Sequence, residues 1–208
     1  MAENIKKGVD LFGLLGTLEA GGSNATEPYI EENYGSDLRL TAAVLHGHSI
    51  IRNYAFYDCT SLTSVTIPDS VISIGDAAFQ NCTHLTSVTI PNGVTRIRNY
   101  TFYDCTGLTS VTIPDSITRI GGSSFQNCTS LTSVTIPGSV MKIESSAFAF
   151  CGGLTSVTFK GTPSSINYNI FSNCSALNTI NVPWAEGTVS DAPWGATNAT
   201  INYNYTGE

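Results

Sequence analysis

The chain has 208 residues, of which 12% are charged, and its formal net charge is −7. An acidic chain with so few cationic residues lacks the basic footprint that nucleic acid and anionic membrane surfaces require, so we expect neither as a partner. Its length would suffice for one or two ordinary domains.

Residues 1–37 precede the regular part of the sequence. A short apolar run over residues 9–15 follows two lysines, but an aspartate and a glycine interrupt it. The run is too short and too broken for an export signal or a membrane-spanning helix, so we predict neither. We interpret the segment as an arm that packs on a partner, joined to the rest of the chain by a flexible stretch at residues 21–24.

A period of 23 residues organises the chain from residue 38 to 183. The heptapeptide LTSVTIP at residues 62–68 returns unchanged at residues 85–91, 108–114 and 131–137, and with changes at 154–160 and 177–183. A fixed period of this length is typical of a solenoid, in which each turn of the chain buries its apolar side chains against the next turn. We therefore predict one elongated unit rather than two globular domains.

Each repeat contains three local patterns. Val65 and Ile67 alternate with hydroxyl residues, which predicts a half-buried strand. A second apolar pair, Val71 and Ile74, predicts a short extended stretch on another side of the coil. The segment at residues 76–82 spaces its apolar residues three apart, which predicts a single helical turn with the first aspartate as its N-cap.

Two apolar columns run through all copies of the repeat. The phenylalanine column consists of Phe56, Phe79, Phe102, Phe125, Phe148 and Phe171. The cysteine column contains every cysteine of the chain, namely Cys59, Cys82, Cys105, Cys128, Cys151 and Cys174. Equivalent cysteines in a stack have parallel side-chain directions, whereas a disulfide needs a torsion of about 90°. We therefore favour buried free thiols that pack as small apolar groups over disulfides.

The sequence predicts no metal site, no cofactor and no catalytic centre. A structural zinc site needs about four ligands in a tetrahedral arrangement, and cysteines in a linear column cannot surround one ion in this way. His46, His48 and His84 show no ligand spacing with the cysteines. The sequence also lacks a nucleophile elbow, a phosphate-binding glycine loop and paired catalytic carboxylates. We therefore expect that the protein is not an enzyme.

The frame LxxVxIPxxVxxIxxxxFxxC resembles the leucine-rich repeats of the BspA type, which occur in bacterial surface proteins and in some protist and phage proteins. The resemblance covers about residues 38–183. It implies a β-rich α/β fold, namely a right-handed leucine-rich-repeat solenoid with short strands and single helical turns, capped at both ends. The asparagine of common leucine-rich repeats is replaced here by Ser70, Gly93, Ser116 and Ser139, so we expect no asparagine ladder at that place.

A degenerate copy of the repeat lies at residues 38–51. We align Ala42 with Val65, and Ile51 with Ile74, on the 23-residue period. Because a terminal repeat has one side without a neighbour, it is expected to be atypical, and we predict that this copy is the N-terminal cap.

Residues 184–208 follow the last regular copy. Alternation over residues 199–205 predicts a strand, and two tryptophans supply bulky apolar surface, so we interpret the segment as the C-terminal cap. Both flanks of the array also resemble tail-associated proteins of phages and prophages of Gram-positive bacteria, through residues 3–19 and 192–203. That resemblance implies a virion protein whose arm at residues 1–37 contacts other virion proteins.

Two sets of residues are candidates for a binding face. The first set is a hydroxyl row on the open face of the predicted sheet and includes Thr66, Thr89, Thr112, Thr135 and Thr158. Such a row either satisfies itself by pairing between strands or binds a repetitive polymer such as a cell-wall glycan. We favour an inert row.

The second set comes from a 46-residue duplication within the array and consists of Tyr54, Tyr57, Tyr100 and Tyr103. Equivalent tyrosines are expected two turns apart, at about 10 Å. They form a strip that could stack on a sugar or grip a protein. Alternatively, they are surface residues that were copied with the duplication, which is the interpretation we favour.

The sequence as a whole predicts a non-catalytic binding scaffold. The first interpretation is a phage or prophage tail-associated protein that presents its solenoid to a host surface and binds a protein or a cell-surface glycan there. The alternative is a bacterial surface or secreted BspA-like protein that mediates adhesion to proteins or glycans. The first interpretation places the protein in the virion, and the second places it at or outside the cell surface.

Overall fold

Each 23-residue repeat forms one turn of a coil in the computed structural model of the chain. The structure describes the backbone of residues 42–44 and the backbone and side chains of residues 49–207. These residues form a β-solenoid of about seven parallel turns, which confirms the predicted solenoid. Its right-handedness stays a prediction. The predictions for the N-terminal arm and its joint, and those for His46 and His48, lie outside the described residues.

Two strands define each turn. The longer strands lie on one side of the coil and comprise β1 (Ala42–Val44), β3 (Ser64–Thr66), β5 (Ser87–Thr89), β7 (Ser110–Thr112), β9 (Ser133–Ile136), β11 (Ser156–Phe159) and β13 (Thr179–Asn181). The shorter strands form separate sheets and comprise β2 (Ile50–Ile51), β4 (Ser73–Ile74), β6 (Arg96–Ile97), β8 (Arg119–Ile120), β10 (Lys142–Ile143) and β12 (Ser165–Ile166). A last strand, β14 (Thr200–Asn202), follows them.

The strands pair in parallel with their equivalents in the next turn. The hydrogen-bonded series of longer strands are β1–β3, β5–β7 and β9–β11–β13–β14, and those of shorter strands are β2–β4 and β6–β8–β10–β12. Val88 pairs with Val111, which keeps the 23-residue register. Val88 is buried, whereas Ser87 and Thr89 on either side of it are exposed, so the predicted half-buried strand is confirmed.

The first strand departs from the predicted alignment. Ala42 pairs with Ser64, so its alignment with Val65 is wrong by one residue. Ile51 pairs with Ile74 as predicted. The spacing to the next turn is therefore 22 residues at β1 and 23 at β2. Among the described strands β1 pairs with β3 alone, so no second described strand holds it to the period of the array.

The third side of each turn contains consecutive tight turns, and the helical turn predicted at residues 76–82 is wrong. No helix occurs in the described part of the chain. Alternate N–H groups donate to the next turn of the coil, as Phe79 N does to Thr101 O at 2.8 Å. The N–H groups between them bond locally, as Gln80 N does to Ala77 O at 3.2 Å. This side of the coil is therefore a second hydrogen-bonded ladder between turns.

Left-handed backbone conformations make this ladder possible. Positive φ angles recur in the tight turns at Tyr54, Asp58, Ala77, Asn81, Tyr100, Asp104, Ser123, Asn127, Ser146, Phe150 and Asn173. In a helix, every N–H would point along the helix's own axis and none would reach the neighbouring turn of the solenoid. Pairing with the neighbouring turns and local bonds together give hydrogen-bond partners to backbone N–H groups of this side, such as those of Ala77, Phe79 and Gln80. The three-residue spacing that predicted a helix is shared by such tight turns.

The predicted phenylalanine and cysteine columns form the centre of the core. All twelve side chains are buried. Neighbouring phenylalanine rings from Phe56 to Phe148 stack with centroids 5.0–5.4 Å apart, and Phe171 is tilted by 31° against Phe148. The thiols donate to carbonyls of the preceding turn, as Cys105 Sγ does to Phe79 O at 3.1 Å. Each large apolar side chain buried in this way contributes roughly 1.5–3 kcal/mol to stability.

The C-terminal segment continues the stack. Strand β14 pairs with β13, with Ile201 opposite Ile180, so the predicted strand within residues 199–205 is confirmed. Trp194 is fully buried and contacts Phe159 with ring centroids 5.6 Å apart, and its Nε1 donates to Ser190 O at 2.9 Å. These contacts give the last turns an apolar core of different composition from the phenylalanine column.

Candidate functional site

The threonine row lies on the outer side of the longer strands. Thr89 pairs with Thr112, and Thr135 with Thr158, so the hydroxyls stand in line, one on each turn. Four of the five predicted threonines are exposed, and Thr158 is half-buried and accepts a hydrogen bond from Asn181 Nδ2 at 3.2 Å. The row is uniform along the array and presents a single kind of polar group.

The tyrosine set lies on the tight-turn side and lines an open groove of about 770 Å³. One wall carries Tyr54 and Tyr57, whose rings meet edge to face at 5.9 Å. The opposite wall carries Tyr100 and Tyr103, whose rings meet in the same way at 5.8 Å. We call this feature the tyrosine groove. All four predicted tyrosines contribute to it, and none of the five threonines does.

The groove exists because the turn between the two walls carries smaller side chains. Ala77 occupies the place of Tyr54 and Tyr100 in that turn, and Gln80 occupies the place of Tyr57 and Tyr103. The Ala77 side chain is buried, whereas Tyr54 and Tyr100 are about half exposed, at 51% and 48%. A tyrosine strip on successive turns would have formed a continuous stack without a gap.

The groove is polar as well as aromatic. Gln80, Gln126, Ser123 and Asp76 line it together with the tyrosines. The side-chain amides of both glutamines and the hydroxyls of all four tyrosines make no hydrogen bond within the described residues. The neighbouring Asp104 carboxylate raises the pKa of Tyr103, and partial burial adds to this, so its hydroxyl stays protonated and can donate.

A ladder of amide and carboxylate side chains positions the groove. Asp76 N donates to Asn53 Oδ1 at 2.8 Å, Asn99 N donates to Asp76 Oδ1 at 3.1 Å, and Gly122 N donates to Asn99 Oδ1 at 2.9 Å. Asn53 and Asn99 directly precede Tyr54 and Tyr100. The ladder therefore fixes the backbone from which both walls project. It differs in position from the ladder of common leucine-rich repeats.

Sequence reasoning found the four tyrosines but missed the ladder and the floor of the groove. The signal for both was present in the 23-residue period. Asn53, Asp76 and Asn99 occupy equivalent places in successive repeats, and Ala77 is the small residue midway between two tyrosines of the duplicated unit. Comparing repeats one period apart, rather than two, would have found them.

A second hollow of about 580 Å³ lies beside the groove and carries charged side chains. Glu144 in its lining pairs with Arg119 and, at 3.2 Å, with Lys142. Burial opposes ionisation of this carboxyl, but hydrogen bonds from Lys142 and Arg119 outweigh it and lower the pKa of Glu144. Both cations pair with Glu144, and Asp191 in the lining accepts a hydrogen bond from Ser190 Oγ at 3.2 Å, so this hollow is a weaker candidate for recognition than the tyrosine groove.

The described residues hold no group of three or more His, Cys, Asp or Glu side chains that could bind a metal ion. His84 is exposed, and its Nδ1 lies 2.5 Å from Thr60 O. Burial raises the pKa of the Cys105 thiol, so this thiol is not a nucleophile at neutral pH. Within residues 42–44 and 49–207 there is no helix with the length and hydrophobicity that a membrane crossing requires.

The repeats match a known family at the level of sequence. The pattern described as "BspA type Leucine rich repeat region" matches the chain in six copies over residues 49–178. No curated protein matches the chain significantly. The match covers the turns that carry both walls of the tyrosine groove.

One solved structure gives the same result for the fold, and two others are weaker likenesses. The chain is 34% identical to the T. pallidum leucine-rich repeat protein TpLRR, with a TM-score of 0.63, covering 68% of this chain and 72% of that one. It is 19% identical to a leucine-rich repeat protein from Bacteroides ovatus, with a TM-score of 0.49, covering 79% of this chain and 61% of that one. It is 14% identical to the pneumococcal vaccine antigen PcpA, with a TM-score of 0.44, covering 69% of this chain and 56% of that one.

Proposed function

This chain belongs to the BspA-type leucine-rich-repeat family, and from that premise we propose that it is a non-catalytic scaffold whose repeats bind a partner at a surface. The observation that supports the proposal is that some positions of the turn keep their residue type along the array while others vary. The buried columns keep the same residue type from turn to turn, whereas the place of the half-exposed Tyr54 carries alanine, tyrosine and serine in the next three turns. A constant core with variable exposed places suits the display of contact residues.

We also propose that the protein has no catalytic role. Catalysis needs unlike reactive groups that converge in one pocket. Among the described residues of the tyrosine groove, the titratable groups are phenols and Asp76, whose Oδ1 already accepts the Asn99 N–H. The cysteines are buried in the core. The groove therefore offers hydrogen bonding and stacking, which are the interactions that recognition uses.

The biological setting that we propose is a phage or prophage tail. The likeness of residues 3–19 and 192–203 to tail-associated proteins supports it. In this setting the arm at residues 1–37 contacts other virion proteins, and the solenoid is presented outward to a protein or glycan of the host surface. The protein is then located in the virion.

The alternative setting is the bacterial surface. Membership of the BspA-type family fits a surface or secreted protein that mediates adhesion to proteins or glycans equally well. The genes that neighbour the coding sequence separate the two settings. Tail, holin and lysin genes would support the virion, whereas sortase or secretion genes would contradict it and support the cell surface.

We include the handedness of the solenoid and the caps at its two ends in the same proposal. Connections between parallel strands are right-handed in nearly all known cases, so the solenoid is right-handed. Residues 38–51 and 184–208 cap its ends. The pairing of β14 with β13 and the burial of Trp194 against Phe159 support the C-terminal cap, because they cover the core of the last regular turn.

The binding role is tested with whole cells, isolated wall glycans and surface proteins of candidate hosts. Purified full-length chain is titrated onto each, together with a chain that lacks residues 1–37. We expect saturable binding by both forms, because the repeats carry the contact residues. Binding that requires the arm, or no saturable binding by either form, would contradict a recognition role for the solenoid.

A further inference from the structure

The two walls of the tyrosine groove are spaced for one inserted ring. Neighbouring turns place the stacked rings of Phe56, Phe79 and Phe102 at centroid distances of 5.0 and 5.4 Å. The walls lie two turns apart, so about 10 Å separates equivalent atoms of Tyr54 and Tyr100. A ring placed midway lies roughly 5 Å from each wall, within the range in which ring faces contact one another.

The floor of the groove leaves that space open. Ala77 contributes only a methyl group, which is 2% exposed, and Gln80 lies beside it. The groove volume of about 770 Å³ exceeds that of a single six-membered ring, and small-ligand sites span roughly 300–1,000 Å³. The groove therefore accommodates one ring between its walls while the rest of a longer ligand extends into solvent.

The polar groups of the groove identify the kind of ring. Tyrosine hydroxyls and glutamine amides both donate and accept hydrogen bonds, and none of those in the groove has a partner within the described residues. A pyranose presents hydroxyls around its edge and C–H groups on its faces. Its edge matches the amides of Gln80 and Gln126, and its faces match the electron-rich faces of the tyrosine rings.

The charge of the groove restricts the ligand further. Among the described residues that line the groove, none is Lys or Arg, and Asp76 is the charged residue. A phosphate, sulfate or carboxylate on the ligand would meet this carboxylate without a cation to balance it. A cationic ligand would contact the tyrosine faces but would leave the amide N–H donors of Gln80 and Gln126 unused. A neutral sugar uses both the faces and the donors.

We propose that the tyrosine groove binds a neutral pyranose ring of a glycan, held between Tyr54 and Tyr100 and hydrogen-bonded by Gln80 and Gln126. This proposal rests on the binding role proposed above, and it assigns that role to one site and one class of ligand. The threonine row takes no part in it. Recognition then depends on the duplicated unit rather than on the repeat as such.

Calorimetric titration of the full-length chain tests the proposal. The probes are cellotetraose, tetra-N-acetylchitotetraose and maltotetraose, which are neutral glycans of different linkage and substitution, with choline as a cationic probe. We expect saturable binding of at least one tetrasaccharide. Failure of all three to bind, or competition by choline for the same site with higher affinity than the sugars, would overturn the assignment of a neutral sugar.

Variants locate the site. Loss of one stacking wall in Tyr54→Ala or Tyr100→Ala should weaken sugar binding about tenfold, and Tyr100→Phe should weaken it less because the ring remains. The matched control is Phe150→Ala. Phe150 is 47% exposed with a φ of 60°, close to the 48% and 57° of Tyr100, and it lines neither hollow. Equal affinities of all variants for the sugar would overturn the site.

The same variants separate this proposal from the general binding role. If the full-length chain binds host surfaces and Tyr54→Ala and Tyr100→Ala bind them equally well, the scaffold role stands and the groove assignment fails. If the tetrasaccharides bind the groove but cells and host proteins do not bind the chain, the general role fails and the groove assignment stands. Thermal unfolding of each variant confirms that loss of binding is not loss of fold.

Discussion

Phe79 and Phe102 stack face to face, with ring centroids 5.4 Å apart and ring planes within 5° of each other. Both rings are fully buried, and each belongs to a different turn of the solenoid. Their contact shows how the repeat produces the fold. One turn cannot bury its own phenylalanine, so each ring is covered by its equivalents in the turns on either side.

Replacement of a central ring should therefore destabilise the whole array. We expect Phe102→Ala to lower the free energy of unfolding by about 3–5 kcal/mol, because it removes contacts with both Phe79 and Phe125 and leaves a cavity. Thr112→Ala, on the exposed threonine row, is the control and should cost less than about 0.5 kcal/mol. Denaturant unfolding of the two variants measures the difference, and equal midpoints would contradict the assigned core.

Two adjacent glycines provide a test of the spacing between turns. A Cβ on Gly153 would lie 2.4 Å from Thr129 O in the preceding turn, whereas a Cβ on Gly152 would meet its nearest atom, Ser175 Oγ, at 3.9 Å. We expect Gly153→Ala to cost about 1–3 kcal/mol, because the turns cannot separate without disturbing the core. Gly152→Ala should be nearly neutral. A thermal unfolding series that ranks Gly152→Ala as the more damaging change would refute the packing between these turns.

The ladder beneath the tyrosine groove depends on an acceptor at residue 76. Asp76→Ala removes the acceptor of the Asn99 N–H and should cost about 0.5–1.5 kcal/mol. Asp76→Asn keeps an oxygen in the same place and should retain most of that stability. Chemical denaturation compares the two, and hydrogen exchange at the Asn99 amide reports the bond directly. Unchanged exchange in Asp76→Ala would show that the bond is absent in solution.

The cysteines of the column should not react with thiol-specific reagents in the folded protein. Burial raises the pKa of Cys82, Cys105 and Cys128, so little thiolate forms at these three residues at neutral pH. A hydrogen bond with the Cys151 thiol lowers the pKa of Cys174, but this thiol is buried like the other five and a reagent cannot reach it in the folded chain. We expect no reaction with a thiol-specific reagent at pH 7 under native conditions and six equivalents in denaturant. Mass spectrometry counts the labels. Rapid labelling of Cys105 before unfolding would mean that the core is open at this turn.

The sequence by itself determined the features that depend on the period. Equivalent residues of successive turns lie beside one another, so any property that recurs every 23 residues becomes a column in space. The period predicted the phenylalanine and cysteine columns. Alternation of apolar and polar residues predicted the position of strands such as β5, because apolar residues in such a pattern face the core.

Only the tertiary structure shows which backbone conformation the chain adopts between the buried columns and how neighbouring turns are arranged there. Phe79 and Cys82 are three residues apart in a helical turn and in consecutive tight turns alike, and only the hydrogen bond from Phe79 N to Thr101 O, one turn away, selects the tight turns. The tyrosine groove likewise depends on a relation between turns, because a gap at Ala77 has meaning only when Tyr54 and Tyr100 flank it in space. The physical reason is the same in both cases: hydrophobic patterns specify which residues are buried, whereas backbone pairing between turns specifies how they are arranged.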